Sequence, residues 1–155
     1  METNYQKLKQ RLEEISRLGG IMGILHWDQE VIMPNGAAES RANQMGVLAG
    51  TIHDKSIDPE MGKLLDALDK ENSFTAFEQC NIREARREYD METKVPKNLV
   101  MEIAELSSKG HQVWVKARSE NKFSDFAPVL KQLVELKKLW AEYVFPEVSD
   151  YDAKI

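Results

Sequence analysis

The sequence predicts an all-α protein with about five to six helices in an antiparallel helical bundle and no sheet. Apolar residues recur at steps of three and four along most of the chain, which is the spacing of one helix face. Charged residues make up 30% of the 155 residues, while the chain has only 8 glycines and 5 prolines. This composition is typical of helical proteins rather than of sandwiches, barrels or disordered segments.

The first helix is predicted by an apolar stripe that begins at Tyr5. The stripe consists of Tyr5, Leu8, Leu12, Ile15, Leu18, Met22 and Leu25. Gly19 and Gly20 lie within it, and each glycine costs about 1 kcal/mol relative to alanine in a helix. The glycine pair therefore leaves two alternatives to a straight helix, a kink or a break into two helices. Residues 33–36, Met-Pro-Asn-Gly, are expected to end the segment as a turn.

A second and a third helix are expected next. The second is predicted at about 36–54, where small residues such as Ala42 continue the helical spacing. Small side chains on that face would allow another helix to approach closely. Asp58 followed by Pro59 is a typical helix start, with Asp as N-cap and Pro at the first helical position. The third helix is expected to run to about Asp69.

The fourth and fifth helices are predicted on either side of Pro96. Residues 75–78, Thr-Ala-Phe-Glu, have the form of a capping box, and the helix that follows is expected to end near Thr93. After Pro96, a regular apolar stripe from Leu99 to Ala117 predicts a helix of about 24 residues. Because the connection is short, the two helices are expected to run antiparallel.

The last helix is predicted around Pro128, which is tolerated in a first turn but would break a helix interior. Ser124 or Asp125 is therefore the expected cap. The apolar face of this helix consists of Phe126, Leu130, Leu133, Leu136, Trp140 and Tyr143. A single helical domain is expected over residues 1–145, and residues 146–155 read as a polar tail without periodicity.

The charge balance argues against a nucleic-acid partner and against an anionic membrane surface. The net charge is −5, whereas phosphate neutralisation requires clustered Lys and Arg. The basic cluster of Arg83, Arg86 and Arg87 is interleaved with acidic residues, which indicates a salt-paired helix face; an anion site is the alternative. No apolar run approaches the roughly 20 residues of a membrane span. Cys80 is the single cysteine and the charged N-terminus does not resemble a signal peptide, so a cytoplasmic location is expected.

Three polar residues near the end of the first helix are weak candidate metal ligands. His26 and Glu30 are four residues apart, which places them on one helix face, and Asp28 lies between them. A metal site needs three or four ligands, and no further ligand pair is apparent. The alternative is a polar patch at the helix end, with Trp27 packed into the core.

Two other residue sets have functional interpretations that are not favoured. Ser107 and Ser108 precede His111, but a hydrolase triad also needs an orienting acid and an oxyanion hole. Four aromatic residues could stack on a ligand, but packing in the core or at an interface is favoured. These are Trp114, Trp140, Tyr143 and Phe145.

Two blocks of this sequence resemble the carboxypeptidase Taq family of metallocarboxypeptidases. The first block comprises residues 25–30 (Leu-His-Trp-Asp-Gln-Glu), Met33 and Pro34, residues 36–38, Arg41, Gln44 and residues 48–50. The second comprises Trp114, Ala117, Arg118, Asn121, residues 123–124 and 126–128, Leu130, Leu133 and residues 135–137. With the similar helical spacing between them, the blocks cover essentially the whole chain.

The resemblance implies a mostly helical, usually dimeric, cytoplasmic enzyme family that removes C-terminal residues from peptides with a divalent metal, commonly zinc or cobalt. The metal site of that family is an H-E-x-x-H helix with a later glutamate. The histidines here are His26, His53 and His111, and none has a second histidine four residues away. The resemblance therefore covers only the N-terminal portion of the family, and no catalytic residue, metal ligand or cofactor is expected in this chain.

The resulting expectation is an N-terminal helical domain of a metal-dependent carboxypeptidase that is inactive alone. In the family this part contributes helices along one side of the substrate groove. The resemblance thus gives family-motif or groove-wall candidates, which are His26, Trp27, Asp28, Gln29, Met33, Pro34 and Arg41. The expected partner is the remainder of a carboxypeptidase or, through exposed apolar helix faces, a second copy of the chain. The alternative is a stand-alone helical interaction or oligomerisation module.

Overall fold

The computed structural model describes residues 3–71 and 73–148, which form α-helices joined by short connections and contain no strand. In chain order the helices are α1 (Asn4–Val31), α2 (Ala38–Ser56), α3 (Pro59–Leu68), α4 (Ala76–Glu92), α5 (Lys97–Ser119) and α6 (Phe123–Val144). A 3₁₀ turn at Asn35–Ala37 leads into α2. The all-α prediction is confirmed, whereas most of the predicted tail, residues 149–155, lies outside the described residues.

Two helices begin with capping boxes. At α4, the Thr75 hydroxyl accepts a hydrogen bond from the Glu78 N–H, and the Glu78 carboxylate accepts one from the Thr75 N–H. The predicted box is thus confirmed. At α1, Thr3 and Gln6 make the same reciprocal pair. The sequence contains this Thr-x-x-Gln pattern, but the capping box at α1 was not among the predictions. Both boxes satisfy N–H groups that a helix start leaves without intrahelical partners.

The start of α3 is also as predicted, with Asp58 as N-cap and Pro59 at the first position. The Asp58 carboxylate accepts from the Glu60 N–H at 2.9 Å and from the Arg11 guanidinium of α1 at 2.6 Å. Both hydrogen bonds lower the pKa of Asp58, and the bond from the Glu60 backbone N–H has the larger effect. The cap therefore also fastens α3 to the first half of α1.

The corner between α5 and α6 is a Schellman motif. The Lys122 N–H bonds to the Ala117 carbonyl at 2.8 Å, and the Asn121 N–H bonds to the Arg118 carbonyl at 3.3 Å. Asn121 has a φ of 55°, a left-handed conformation that asparagine tolerates better than most residues. The motif reverses the chain within a few residues and leads directly into α6.

This tight corner explains why the predicted cap of α6 is wrong. The helix begins at Phe123, before Ser124 and Asp125, and the N-cap residue Lys122 makes no side-chain cap bond. Pro128 consequently lies inside the helix, beyond the first turn, where it cannot donate to the carbonyl of Ser124. The residues of the corner, rather than the proline, set the helix start.

Helix α2 is central to the packing. It packs most extensively against α5 and also contacts α1 and α4, while α6 packs on α5 and α3 packs on α1 and α4. Gly46 and Gly50 allow the close approach of α5, because an added Cβ would lie 2.5 Å from Glu105 and 2.9 Å from Met101. Ala42 of the predicted small-residue face is buried, whereas these close contacts with α5 are made at the two glycines beside that face. Helix α5 packs mainly on α2, and the antiparallel course of α4 and α5 stays a prediction.

Two clusters of buried side chains form the main cores. The first joins α1, α3 and α4 through Leu8, Met61, Leu65, Leu68, Ile82 and Ala85. The second lies at the junction of α4, α5 and α6, where Val95, Leu99 and Val144 pack with partly buried residues that include Trp140. Helix α1 runs unbroken through Gly19 and Gly20, so it does not divide into two helices. Within the described residues, no helix has the length and hydropathy needed to cross a membrane.

Candidate functional site

The corner between α1 and α2 is organised by Arg41. Its side chain is only 12% exposed, and its guanidinium donates to the Leu25 carbonyl at 2.6 Å and to the Asp28 carboxylate at 2.5 Å. A further bond at 3.2 Å joins the Arg41 Nε to the Gln44 side chain. Charge-assisted bonds of this kind are stronger than neutral ones. Arg41 therefore fixes the end of α1 against the start of α2.

Gln29 connects the same end of α1 to the middle of α5. Its side-chain oxygen accepts from the Ser108 hydroxyl at 2.5 Å, and its amide nitrogen donates to the Ser108 carbonyl at 3.3 Å. Both residues are buried, so each satisfies the other's polar atoms inside the bundle. The Ser108 hydroxyl thus serves packing and does not donate to His111, whose ring lies against Trp114 instead.

The weak metal candidates do not converge in the structure. His26 and Glu30 are exposed at the surface of α1, whereas Asp28 points to Arg41 and is held in an ion pair. Residues two apart on a helix do not face each other, which explains the separation. Among the described residues, no group of three or more His, Cys, Asp or Glu side chains is placed to hold a metal ion. This donor set does not fit the divalent metal that the resemblance implies.

Three further motif residues lie at the corner, and one of them, Met33, donates its backbone N–H to the Asp28 carbonyl at 2.8 Å. Trp27 is 55% exposed, so the interpretation that places it in the core is wrong. Helices α2 and α5 cover the opposite side of α1, where Leu25 and Gln29 lie. Met33 is partly buried, and Pro34 is exposed at the start of the 3₁₀ turn. Here the predicted Met-Pro turn is confirmed.

An apolar surface runs along the second half of α1, and we call it the outer stripe. It consists of Ile21, Ile24, Trp27 and Val31, which are 49%, 65%, 55% and 63% exposed. Their spacing of three, three and four residues places them along one side of the helix. No element within residues 3–71 and 73–148 buries this side of α1, so the stripe is a candidate contact surface.

A buried histidine was not singled out by the sequence analysis. His53 is 2% exposed, and its Nδ1 lies 2.9 Å from a Glu92 carboxylate oxygen of α4. Its Nε2 is buried without a hydrogen-bond partner among the described residues. The signal in the sequence was its position, four residues after Ala49 and seven after Gly46 on the inward side of α2. The role this geometry supports is a link between α2 and α4.

The basic cluster of α4 forms ion pairs, as predicted. Arg86 donates to Asp66 at 2.7 Å and to Asp69 at 2.9 Å, both at the end of α3. The other two arginines both bond to Glu84. These carboxylates occupy the guanidinium groups, so the alternative of an anion site has no support from the geometry.

The four aromatic residues near the chain end divide into two groups. Trp140 packs against the second core cluster. Trp114, Tyr143 and Phe145 are 45%, 41% and 36% exposed. A core role is therefore confirmed for Trp140 alone, and an interface role for the other three stays a prediction.

Comparison with known proteins points to one family. Residues 7–155 match the sequence profile of the carboxypeptidase Taq (M32) metallopeptidases. Thermostable carboxypeptidase 1 of Thermus thermophilus is 30% identical over 147 residues, which is 93% of this chain and 29% of that protein. Carboxypeptidase 1 of Bacillus subtilis is 29% identical over 92% of this chain and 28% of its own length. The chain thus spans less than a third of the length of these relatives.

Solved structures agree with the sequence relatives. The BsuCP crystal structure superposes with a TM-score of 0.91 and 27% identity, over 98% of this chain and 31% of that one. The M32 carboxypeptidase from Deinococcus radiodurans R1 gives a TM-score of 0.72 and 33% identity, over 97% of this chain and 30% of that one. Since the family profile also covers nearly the whole sequence, this chain belongs to the carboxypeptidase Taq (M32) family of metallopeptidases.

Proposed function

We propose that this chain is the N-terminal helical part of a metal-dependent carboxypeptidase, and that it forms scaffold and groove wall without hydrolysing peptides alone. The observation that carries this proposal is a family match over residues 7–155 in a sequence without an H-E-x-x-H motif. Hydrolysis by a metal-activated water requires both the Lewis acid and a positioned base. Neither is supplied by a recognisable residue set here, so the chemistry lies in another part of the enzyme.

The geometry of the α1–α2 corner supports a structural role for the family motif. The partly buried side chain of Arg41 and the buried side chain of Gln29 hold α1 against α2 and α5. Groups bound in this way are unavailable for proton transfer or metal binding. The exposed motif residues, His26 and Trp27, are then the candidates for facing the groove.

The outer stripe supports the proposed partner, the remainder of a carboxypeptidase. Apolar side chains that project into water along one helix side are typical of surfaces covered by another element. Each side chain of this size gains about 1.5–3 kcal/mol on full burial. Covering Ile24 and Val31, which are 65% and 63% exposed, would therefore contribute substantially to docking.

The test of the proposed inactivity is a carboxypeptidase assay of the purified chain. An N-blocked peptide with a free C-terminus is incubated with the chain and added zinc or cobalt, and the released amino acid is measured. We expect no release above a protein-free control, with the Thermus thermophilus relative as the positive control. Robust metal-dependent turnover by the purified chain would contradict the proposal. The weak metal candidates His26, Asp28 and Glu30 are tested by a second measurement, a calorimetric titration of the chain with zinc. We expect no zinc binding.

A second test is the DNA sequence beyond the last codon of this chain. An open reading frame that encodes H-E-x-x-H would identify the catalytic remainder directly. A stop codon without such a frame nearby would favour the alternative below. This reading needs no folded protein, so it is independent of the assay.

The alternative function is a stand-alone interaction or oligomerisation module, and the outer stripe is the observation that favours it. A second copy would cover the stripe in place of the carboxypeptidase remainder. Light scattering of the wild type, of Ile24→Glu and of the matched control Ser16→Glu separates the cases. A dimer lost only in Ile24→Glu supports the module, whereas a monodisperse monomer at high concentration counts against it.

We further propose that the chain, as one helical unit over residues 1–145, works in the cytoplasm without a nucleic-acid or membrane partner. Its net charge of −5 disfavours polyanionic surfaces. Cys80 is an exposed free thiol, which is ordinary in a reducing compartment. Retention on a heparin column at moderate salt would contradict the absence of a polyanion site.

A further inference from the structure

An aromatic cleft lies at the corner between α5 and α6. Its walls are Trp114, Phe123 and Phe126, with Arg118 and Lys122 beside them. The cavity measures about 190 Å³. Other residues of this corner have a structural explanation, since Asn121 supplies the left-handed residue of the Schellman motif. The exposed aromatic rings take no part in that motif.

Two rings of the cleft are exposed, and each contacts a neighbouring ring. Phe123 is 66% exposed and meets Phe126 edge to face, with ring centroids 6.4 Å apart. Trp114 is 45% exposed and contacts the His111 ring, with ring centroids 5.9 Å apart. Positioned, half-uncovered aromatic rings provide apolar area at little entropic cost on binding.

The charges at the cleft are opposite to those of the chain as a whole. The net charge of the chain is −5, but no carboxylate lines the cleft and two cations do. Lys122 is paired with Glu120 at 2.8 Å. Arg118 has no ion pair or side-chain hydrogen bond with any residue that the structure describes. An unpaired guanidinium beside apolar walls is suited to a carboxylate, which it can bind in bidentate fashion.

The size of the cleft selects the kind of occupant. Small-molecule and cofactor pockets usually measure about 300–1,000 Å³, so this cavity is too small for most of them. A cavity of about 150 Å³ is nonetheless large enough to hold a benzene ring. The residue types Trp, Phe and Arg are those enriched at protein interfaces, and Trp and Arg are frequent among the residues that dominate binding. One apolar side chain of a peptide is therefore the matching occupant.

We propose that this aromatic cleft binds an acidic peptide segment of another protein, with one aromatic or leucine side chain between Trp114 and Phe123 and an adjacent carboxylate on Arg118. The inference is independent of the proposed carboxypeptidase role, because it concerns neither a metal nor the C-terminus of a substrate.

The test uses the capped peptide acetyl-Asp-Phe-Asp-amide, whose blocked C-terminus makes it unlike a carboxypeptidase substrate. The controls are acetyl-Asn-Phe-Asn-amide, which lacks the charge, and acetyl-Asp-Ala-Asp-amide, which lacks the ring. Binding to the whole chain is followed by calorimetry and by the indole N–H signal of Trp114. We expect the acidic aromatic peptide to bind at least about tenfold more tightly than either control.

Variants assign the binding to the cleft. Arg118→Gln is expected to weaken the acidic peptide about tenfold and leave the neutral one unchanged, since it removes only the charge contact. Phe123→Ala should weaken both aromatic peptides. The matched control Arg83→Gln, on α4, should leave all three affinities unchanged. Circular dichroism checks that each variant remains folded.

Several outcomes would overturn this proposal. One is equal binding of the acidic and neutral peptides, and another is no binding of any peptide at millimolar concentration. An Arg118→Gln variant with wild-type affinity would show that the guanidinium is not used. A wild-type dimer that Phe123→Ala converts to monomer would mean that a second copy, and not an acidic peptide, occupies the cleft.

Discussion

The two halves of helix α1 have similar sequence periodicity but different surroundings. In the first half, Leu8 is fully buried and packs with Met61, Leu65 and Ile82 of α3 and α4. In the second half, α2 and α5 cover one side only, and the outer stripe of residues 21–31 projects into water. The stripe pattern therefore identifies which residues share a helix side, but it does not identify what covers that side.

Composition distinguishes the halves better than periodicity does. The second half carries apolar residues on both sides, with Met22 and Leu25 partly buried and Ile21 and Ile24 exposed. A helix that is apolar on several sides is usually enclosed by other elements. The first half has charged residues such as Lys9 and Glu13 beside its core stripe. The second half thus has the composition of a helix that a partner completes.

The largest expected difference between the halves is in the response to truncation of a side chain. Leu8→Ala should lower the free energy of unfolding by about 3 kcal/mol, because it leaves a cavity in a packed core. Ile24→Ala should change it by less than about 0.5 kcal/mol, because Ile24 is 65% exposed. Urea unfolding followed by circular dichroism measures both.

A large loss in Ile24→Ala would contradict the structural difference between the halves. If that loss grew with protein concentration, the outer stripe would be covered by a second copy of the chain. A loss independent of concentration would mean that the stripe is buried within the monomer.

The second prediction concerns the anchor of the exposed half. Arg41→Ala should lower the free energy of unfolding by about 2 kcal/mol, because it leaves the Leu25 carbonyl and the Asp28 carboxylate without their donor. The matched control is Arg17→Ala, whose side chain is 76% exposed and pairs with Glu13. That exposed pair contributes about 0.3–0.5 kcal/mol. Similar losses in the two variants would show that the corner is not held by Arg41.

Local signals were the ones that predicted structure from sequence. The Thr75 capping box and the Asp58-Pro59 start depend on residues within one helical turn, and both were predicted. The predicted start of α6 is wrong because the corner at Asn121, and not Pro128, determines where the helix begins. Propensity at one residue was overridden by the geometry of the preceding turn.

Long-range pairs could not be read from the sequence. The Gln29–Ser108 bonds join residues 79 positions apart, and His53 and Glu92 are 39 positions apart. Each residue taken alone looks like an ordinary polar side chain on an amphipathic helix. Only the packing of α5 against the end of α1, and of α4 against α2, brings such groups together. The same limit applies to Trp27, because its exposure depends on which elements pack against that side of α1.

The third prediction uses glycines on the two kinds of surface. Gly20→Ala in the exposed half should raise the free energy of unfolding by about 1 kcal/mol, since an added Cβ meets nothing within 4 Å. Gly46→Ala should lower it by about 1 kcal/mol, because the new methyl group would lie 2.5 Å from Glu105 and force that side chain to move. A gain in both variants would show that the α2–α5 contact is looser than the structure has it.

The smallest expected effect concerns the cap that fastens the buried half of α1. Asp58→Ala should lower the free energy of unfolding by about 1 kcal/mol, because it removes the N-cap of α3 and the partner of Arg11. Asp58→Asn keeps an oxygen for the Glu60 N–H and loses only the charge. Its loss should therefore be smaller, and the comparison of the two variants separates the cap from the ion pair.

The pH dependence gives a further test of the same carboxylate. The pKa of Asp58 is lowered in the folded chain by the Glu60 N–H and the Arg11 guanidinium, whereas in the unfolded chain it is about 3.9. The unfolded state therefore binds more protons between these two values, and stability rises with pH. The contribution is fully present above about pH 4–5 and is lost as the pH falls through the folded pKa. In Asp58→Asn, the free energy of unfolding measured with urea should therefore fall less as the pH is lowered. The same fall as in the wild type would mean that the first half of α1 is fastened by its apolar core alone.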